Sequence, residues 1–263
     1  MSWMRVRAIV RQNWYVMKRS PIRIFELFYW PVIEVVLWGF ITRYLVTTQA
    51  RIPGGVGVLL GAVLLWDLMF RSQQELAIMQ LIDIWDRNIV NLYASPLRQS
   101  EYLAGALLFS VGRVAVGTSF LILIARLWFG FNLLEVGGLL VPALLALVSF
   151  GWAMGVLIRA AIMRFGTNAE VLAWSLAFLL QPVSAVFYPV ETLPGWLQTV
   201  ARALPTSHVF ESLRGYLANG TVSPSRLLTA LALSGVYLVL ASAVALASYR
   251  MVRELGLLAK PGF

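Results

Sequence analysis

Asp67, Arg71 and Glu75 stand at a spacing of four in an otherwise apolar run. Four residues turn an α-helix through about 400°, so the three share one face. Their acid–base–acid order allows two ion pairs within the helix. Arg113 and Glu34 lie in apolar runs of their own. A charge in hydrocarbon is costly and faces a bundle interior or a partner. Asp67, Arg71, Glu75 and Arg113 are therefore read as a buried charge cluster that pins adjacent helices. The alternative is a polar wall of a transport path, or a proton relay. Other chemistry is poorly served. There is no cysteine, so no disulfide or thiolate site. The single histidine, His208, has no ligand or nucleophile neighbours at useful spacing, which argues against a metal centre and against hydrolysis. It reads as part of a capped helix start beside Ser207. A phosphate-cradling loop ends in Gly-Lys-Ser/Thr. The only lysines are Lys18, after Met17, and Lys260, after Ala259, so neither belongs to one. No cofactor site is expected, and energy for any transport must come from another polypeptide or an ion gradient.

The elements that hold these residues follow from composition. The 263 residues are 60% hydrophobic and 13% charged, against about 25% charged in soluble domains. The fold expected is all-α and integral to a membrane, one transmembrane domain over 1–263. Six spanning helices are read at about Phe25–Val46, Val56–Leu76, Ala104–Ala125, Gly138–Leu157, Val171–Tyr188 and Leu227–Ala247. The net charge of +9 comes mostly from arginines dispersed between apolar runs. That pattern fits membrane orientation and not nucleic acid. Counting Lys and Arg by side gives thirteen against six, which places both termini, and the loop at 77–103, in the cytoplasm. Arg51 counts on the outer side and Lys260 on the inner. The basic N-terminus is too long for a cleavable signal. Residues 1–23 instead read as an interfacial amphipathic helix, with Trp3, Val6, Val10, Trp14 and Met17 on its apolar stripe.

Two stretches break the pattern of spans. In the loop at 83–97, Asp83 reads as the cap of a short helix, with Asp86 three positions on. Trp85, Ile89, Leu92 and Tyr93 would share one face, Asp86, Asn88 and Asn91 would lie elsewhere, and Ser95-Pro96 would end it. A short helix with two unlike faces at a membrane surface is suited to docking. At 190–217, two short amphipathic pieces follow prolines, from Pro194 and from Pro205, with Thr206 or Ser207 capping the second. Eleven residues reach about 16 Å, too little to span. They form a re-entrant or interfacial pair between the fifth and sixth helices. Asn219-Gly220 reads as a turn after the second piece.

The tract Pro182, Ser184, Phe187, Tyr188, Pro189, then Leu193, Pro194, Trp196, Leu197, Pro205, Arg214 and Gly215 resembles that of the type-2 ABC transporter permease family, which carries it before its last membrane helix. Arg87, Leu92, Ser95 and Pro96 are similar to the family's coupling helix, although Val90 and Asn91 replace its usual acids. The resemblance implies the permease subunit of an ATP-driven exporter in a bacterial cytoplasmic membrane. It implies a homodimer with two copies of a separate ATPase, which binds the ATP and magnesium and docks at Asp83, Trp85, Asp86, Arg87, Ile89, Leu92 and Pro96. It also implies a gate at Phe187, Tyr188 and Pro189, with Trp174 and Phe178 lining the path. The family moves drugs, lipids and polysaccharides. A rival reading is a secondary transporter driven by ions through Asp67, Arg71 and Glu75; a membrane enzyme would need a catalytic set that the chain lacks.

Overall fold

Helix is the only regular structure among the residues described by the computed structural model, which are 2–48, 57–221 and 223–254. Arg51, Lys260 and the predicted span start at Val56 lie outside them. There are ten α-helices: α1 Trp3–Lys18, α2 Pro21–Thr47, α3 Gly57–Trp85, α4 Ile89–Ala94, α5 Gln99–Phe129, α6 Leu140–Phe165, α7 Val171–Val183, α8 Gly195–Ala203, α9 Pro205–Asn219 and α10 Pro224–Glu254.

Among the described residues, four segments are long and apolar enough to cross a membrane: α2, α5, the stretch Leu133–Ala169 that contains α6, and α10. They hold four of the six predicted spans, and the chain is an all-α, multi-pass membrane protein. The other two predicted spans differ for separate reasons. α3 has 29 residues and is long enough, at about 43 Å. However, it carries Asp67, Arg71, Gln73, Gln74, Glu75, Gln80 and Asp83, which lower its hydropathy. α7 has only 13 residues, ending at Val183 and not at Tyr188. It reaches about 20 Å, short of a hydrocarbon core of about 30 Å.

The polar content of α3 is explained by its position. It is buried along nearly its whole length and packs on α2, α5, α6, α7 and α9. A helix buried on all sides lies at the centre of a bundle. Its closest neighbour is α6, where Gly151 and Gly155 face it. A Cβ at Gly151 would lie 2.5 Å from the Met69 carbonyl oxygen, and one at Gly155 would lie 2.5 Å from that of Gln73. Small residues four apart let membrane helices approach to backbone contact. On its far side α6 meets α10, whose buried face is mostly small: Ala230, Ser234, Ala241 and Ala245. The Ser234 hydroxyl donates to the Ala146 carbonyl at 2.9 Å.

α1 lies against α5. Its buried residues are Val6 and Ile9, and Ile9 closes on Gly105 so tightly that a Cβ there would come within 2.7 Å. The predicted stripe is thus split. Val6 is buried against the protein, while Trp3 and Trp14 are exposed.

Candidate functional site

α2 and α7 both rest on α3 and leave between them a half-open cavity of about 610 Å³. Asp67, Phe70, Arg71, Gln74, Glu75, Arg113, Trp174 and Phe178 all line it. The predicted charge cluster and two of the predicted path residues therefore meet in one place. From α2 come Glu26, Trp30, Glu34 and Trp38. Trp38 stacks on Phe187, with ring centroids 4.3 Å apart and planes at 16°, so the residues after α7 reach the edge of the same cavity.

The ion pairs differ from the two intrahelical ones that the spacing allows. Arg71 pairs with Asp67 at 2.5 Å, but Glu75 turns away to Arg113 of α5 at 2.7 Å. Arg71 is drawn off by a second acceptor, the Leu27 carbonyl of α2, at 3.0 Å. Pro31 explains that carbonyl. Proline has no N–H, so the oxygen four residues before it loses its helical donor. The guanidinium of a neighbouring helix supplies the missing bond. Glu75 is then free to join α3 to α5. Gln74 Nε2 and Arg113 Nε remain as buried donors without an acceptor among the described residues.

At one end of the cavity the chain turns sharply after α7. Ala185 adopts a positive φ of 51°, a conformation disfavoured by its Cβ. Arg214 of α9 holds that turn. It donates to the carbonyls of Ala185 at 2.9 Å and Tyr188 at 3.0 Å, and pairs with Glu211 at 2.6 Å. Glu211 also accepts the Val190 N–H at 3.0 Å. The arginine and glutamate of α9 thus clamp the Phe187–Pro189 corner from behind. The expected caps on α9 do different work. The cap position is Leu204; Thr206 donates to Ser184 at 2.8 Å, and Ser207 donates back to the Leu204 carbonyl at 2.9 Å. His208 lies against the Arg202 carbonyl at 2.8 Å. Gly220 ends α9 at φ 67°, the expected turn.

At the other end lies the loop read as a coupling helix. Asp83 does not cap it. α3 continues to Trp85, Arg87 breaks the chain at φ 52°, and α4 covers only Ile89–Ala94 behind an Asn88 cap position. Asp83 is buried and accepts from Tyr102 at 2.5 Å, Gln12 at 3.1 Å and Asn88 at 3.4 Å. These bonds hold α1, α5 and the loop to the end of α3. Asp83 lies beyond the predicted span, and burial pushes its carboxyl above the usual carboxylate range, opposed by the Tyr102 and Asn88 hydrogen bonds. The shared face is also revised. Ile89 is buried with Leu81, Ile84, Ile158 and Ile162, whereas Trp85, Asp86, Arg87 and Pro96 are exposed. Leu92 is half-buried on the core; the Tyr93 and Val90 side chains lie outside the described residues.

Four contributors were missed by sequence reasoning. Arg159 is buried, bonds Gln80 at 2.8 Å and lies over the Tyr102 ring at 4.3 Å. Glu101 is buried and gathers the Ser2 and Arg98 N–H groups at 2.6 and 3.0 Å, with Arg5 at 3.3 Å. Gly151 and Gly155 had a readable signal, the small-x-x-x-small pattern in an apolar helix. Arg159 and Glu101 had none, because each sat near a predicted boundary where a charge needs no explanation.

The chain matches the family model described as ABC-2 type transporter over residues 4–218. It is also 34% identical over 131 residues to a daunorubicin resistance ABC transporter permease protein from Streptomyces coeruleorubidus. That match covers 48% of this chain and 44% of the relative, so the chain spans less than half the length of the curated relative it matches.

Proposed function

The chain belongs to the ABC-2 type transporter family, and from that premise we propose that it is the membrane-spanning permease of an ATP-driven exporter. A transport subunit in a multi-pass membrane protein is what the family implies. In the reading advanced here, two copies assemble with two copies of a separate ATPase in a bacterial cytoplasmic membrane, with both termini inside. The ATPase carries the ATP and magnesium. It seats against the exposed edge Trp85, Asp86, Arg87 and Pro96. Asp83, Ile89 and Leu92 hold that edge to the bundle and do not touch the partner. Movement there passes through α3 to the cavity and to the Phe187, Tyr188 and Pro189 corner, which acts as the gate. α8 and α9 form the re-entrant pair on the outer side.

The observation that carries this reading is the alignment of three features along α3: an exposed polar edge at its end, a cavity on its side, and a clamped turn beyond. The cargo is amphipathic, drug-like, lipid-like or a saccharide, and aromatic walls suit each of these. The name of the relative, a drug resistance permease, supports the drug-like class. The rival reading, ion coupling through Asp67, Arg71 and Glu75, is disfavoured because each of those charges is matched by a neighbour.

The test is co-purification with the ATPase and measurement of ATP turnover. Arg87→Glu and Trp85→Ala are expected to uncouple turnover while leaving the permease monodisperse. Full coupling in both variants would refute docking at this edge. Transport driven by a pH gradient in vesicles without the ATPase would refute the proposal as a whole.

A further inference from the structure

One face of α2 carries an alternation that the fold does not require. Glu26, Trp30, Glu34 and Trp38 recur every fourth residue, and all four line the cavity. Opposite them stand Trp174 and Phe178 of α7. Together the walls bring four carboxylates, from Glu26, Glu34, Asp67 and Glu75, against two guanidinium groups, from Arg71 and Arg113. The two guanidinium charges are already matched, Arg71 by Asp67 and Arg113 by Glu75. Glu34 has no hydrogen bond or ion pair among the described residues. It is half-buried, between two indoles of its own helix, and lines the same cavity as Trp174 and Phe178 of the other wall.

We propose that this cavity is a binding site for a hydrophobic organic monocation, with Glu34 as its counter-charge and Trp30 and Trp174 as stacking surfaces; the inference rests on the transport reading above and names its cargo class. A carboxylate left over in a low-dielectric wall attracts a positive charge and repels a negative one. Indole faces add to that preference, because the ring quadrupole attracts cations. The volume lies within the range of small-molecule sites, about 300–1,000 Å³. An anionic cargo is disfavoured, since no unmatched positive charge faces the space.

The probes are tetraphenylphosphonium and tetraphenylborate, which share size and shape and differ in sign. Binding is measured by equilibrium dialysis against nanodiscs holding the permease with its ATPase, without nucleotide, and empty nanodiscs give the lipid background. Saturable binding of the cation, with little of the anion, is expected. Glu34→Gln should weaken cation binding by about tenfold or more, the loss of one desolvated charge contact. Trp174→Ala, an exposed position that the fold does not need, should weaken it as well. Equal binding of both probes, unchanged cation affinity in Glu34→Gln, or no saturable binding because lipid or a second copy fills the cavity would each overturn the assignment. ATP turnover in the same preparation separates the two readings. Coupled turnover without cation binding leaves the exporter and removes the cation site. Glu34-dependent binding without coupled turnover does the reverse.

Discussion

Arg71→Met tests whether the charge cluster holds the bundle. The Arg71 side chain is 13% exposed and that of Asp67 is 6% exposed, so neither charge is well screened by solvent. Removing the guanidinium strands the Asp67 carboxylate and also the Leu27 carbonyl that Pro31 leaves without a donor. Breaking a buried ion pair from one side costs about 3–5 kcal/mol, and an orphaned carbonyl adds about 1–3 kcal/mol. The two penalties are separable. Asp67→Asn with Arg71→Met should recover most of the ion-pair loss, because no unpaired charge is left. Adding Pro31→Ala should recover part of the remainder by restoring an N–H for Leu27. The assay is equilibrium unfolding in mixed micelles by denaturing detergent, followed by tryptophan fluorescence. The reasoning is refuted if Arg71→Met lies within about 1 kcal/mol of the parent, or if the double variant is no more stable than the single one.

Other predictions follow from the same contacts. Gly151→Leu would drive a side chain into the Met69 carbonyl and should cost at least about 1–3 kcal/mol, read as lower yield and earlier detergent unfolding than Gly112→Leu, which meets no neighbour. Ile89→Ala should destabilise by about 2–5 kcal/mol because the side chain is buried, whereas Trp85→Ala should leave stability nearly unchanged. Arg214→Lys keeps the charge but loses the planar fork that reaches two carbonyls and Glu211; limited proteolysis should then cut near 185–190 faster than in the parent. Glu101→Gln weakens the grip on Ser2, Arg98 and Arg5, and hydrogen exchange in α1 should rise.

Sequence reasoning found a helix in each predicted span, though not its bounds in every case, because apolar runs are set by the solvent and not by neighbours. It also placed Trp174, Phe178 and the charge cluster on helices that converge. It failed where a neighbour decides. Nothing in the run Asp67, Arg71, Glu75 shows that Pro31, forty residues earlier, has released a carbonyl that captures Arg71 and sends Glu75 to Arg113. Asp83 looked like a cap because capping residues are short and polar; the buried Tyr102 and the half-buried Gln12 that claim it lie on other helices. α7 looked long enough to span because Val183–Tyr188 is apolar, yet Ala185 at positive φ ends the helix early.

Two of the helices packed on α3 are seated unequally. α6 is wedged backbone to backbone through Gly151 and Gly155, so any sliding there would force carbonyls past one another. α7 rests on its support through Ala173 and Ala177, its only buried residues among those described, through the Phe178 ring beside Phe70 at 5.9 Å, and through one bond from Gln73 to the Ala173 oxygen at 3.1 Å. Methyl groups interlock little. The chamber therefore stands on a floor, α3, that α6 holds fixed from behind, and its α7 wall can swivel with few side chains to disengage.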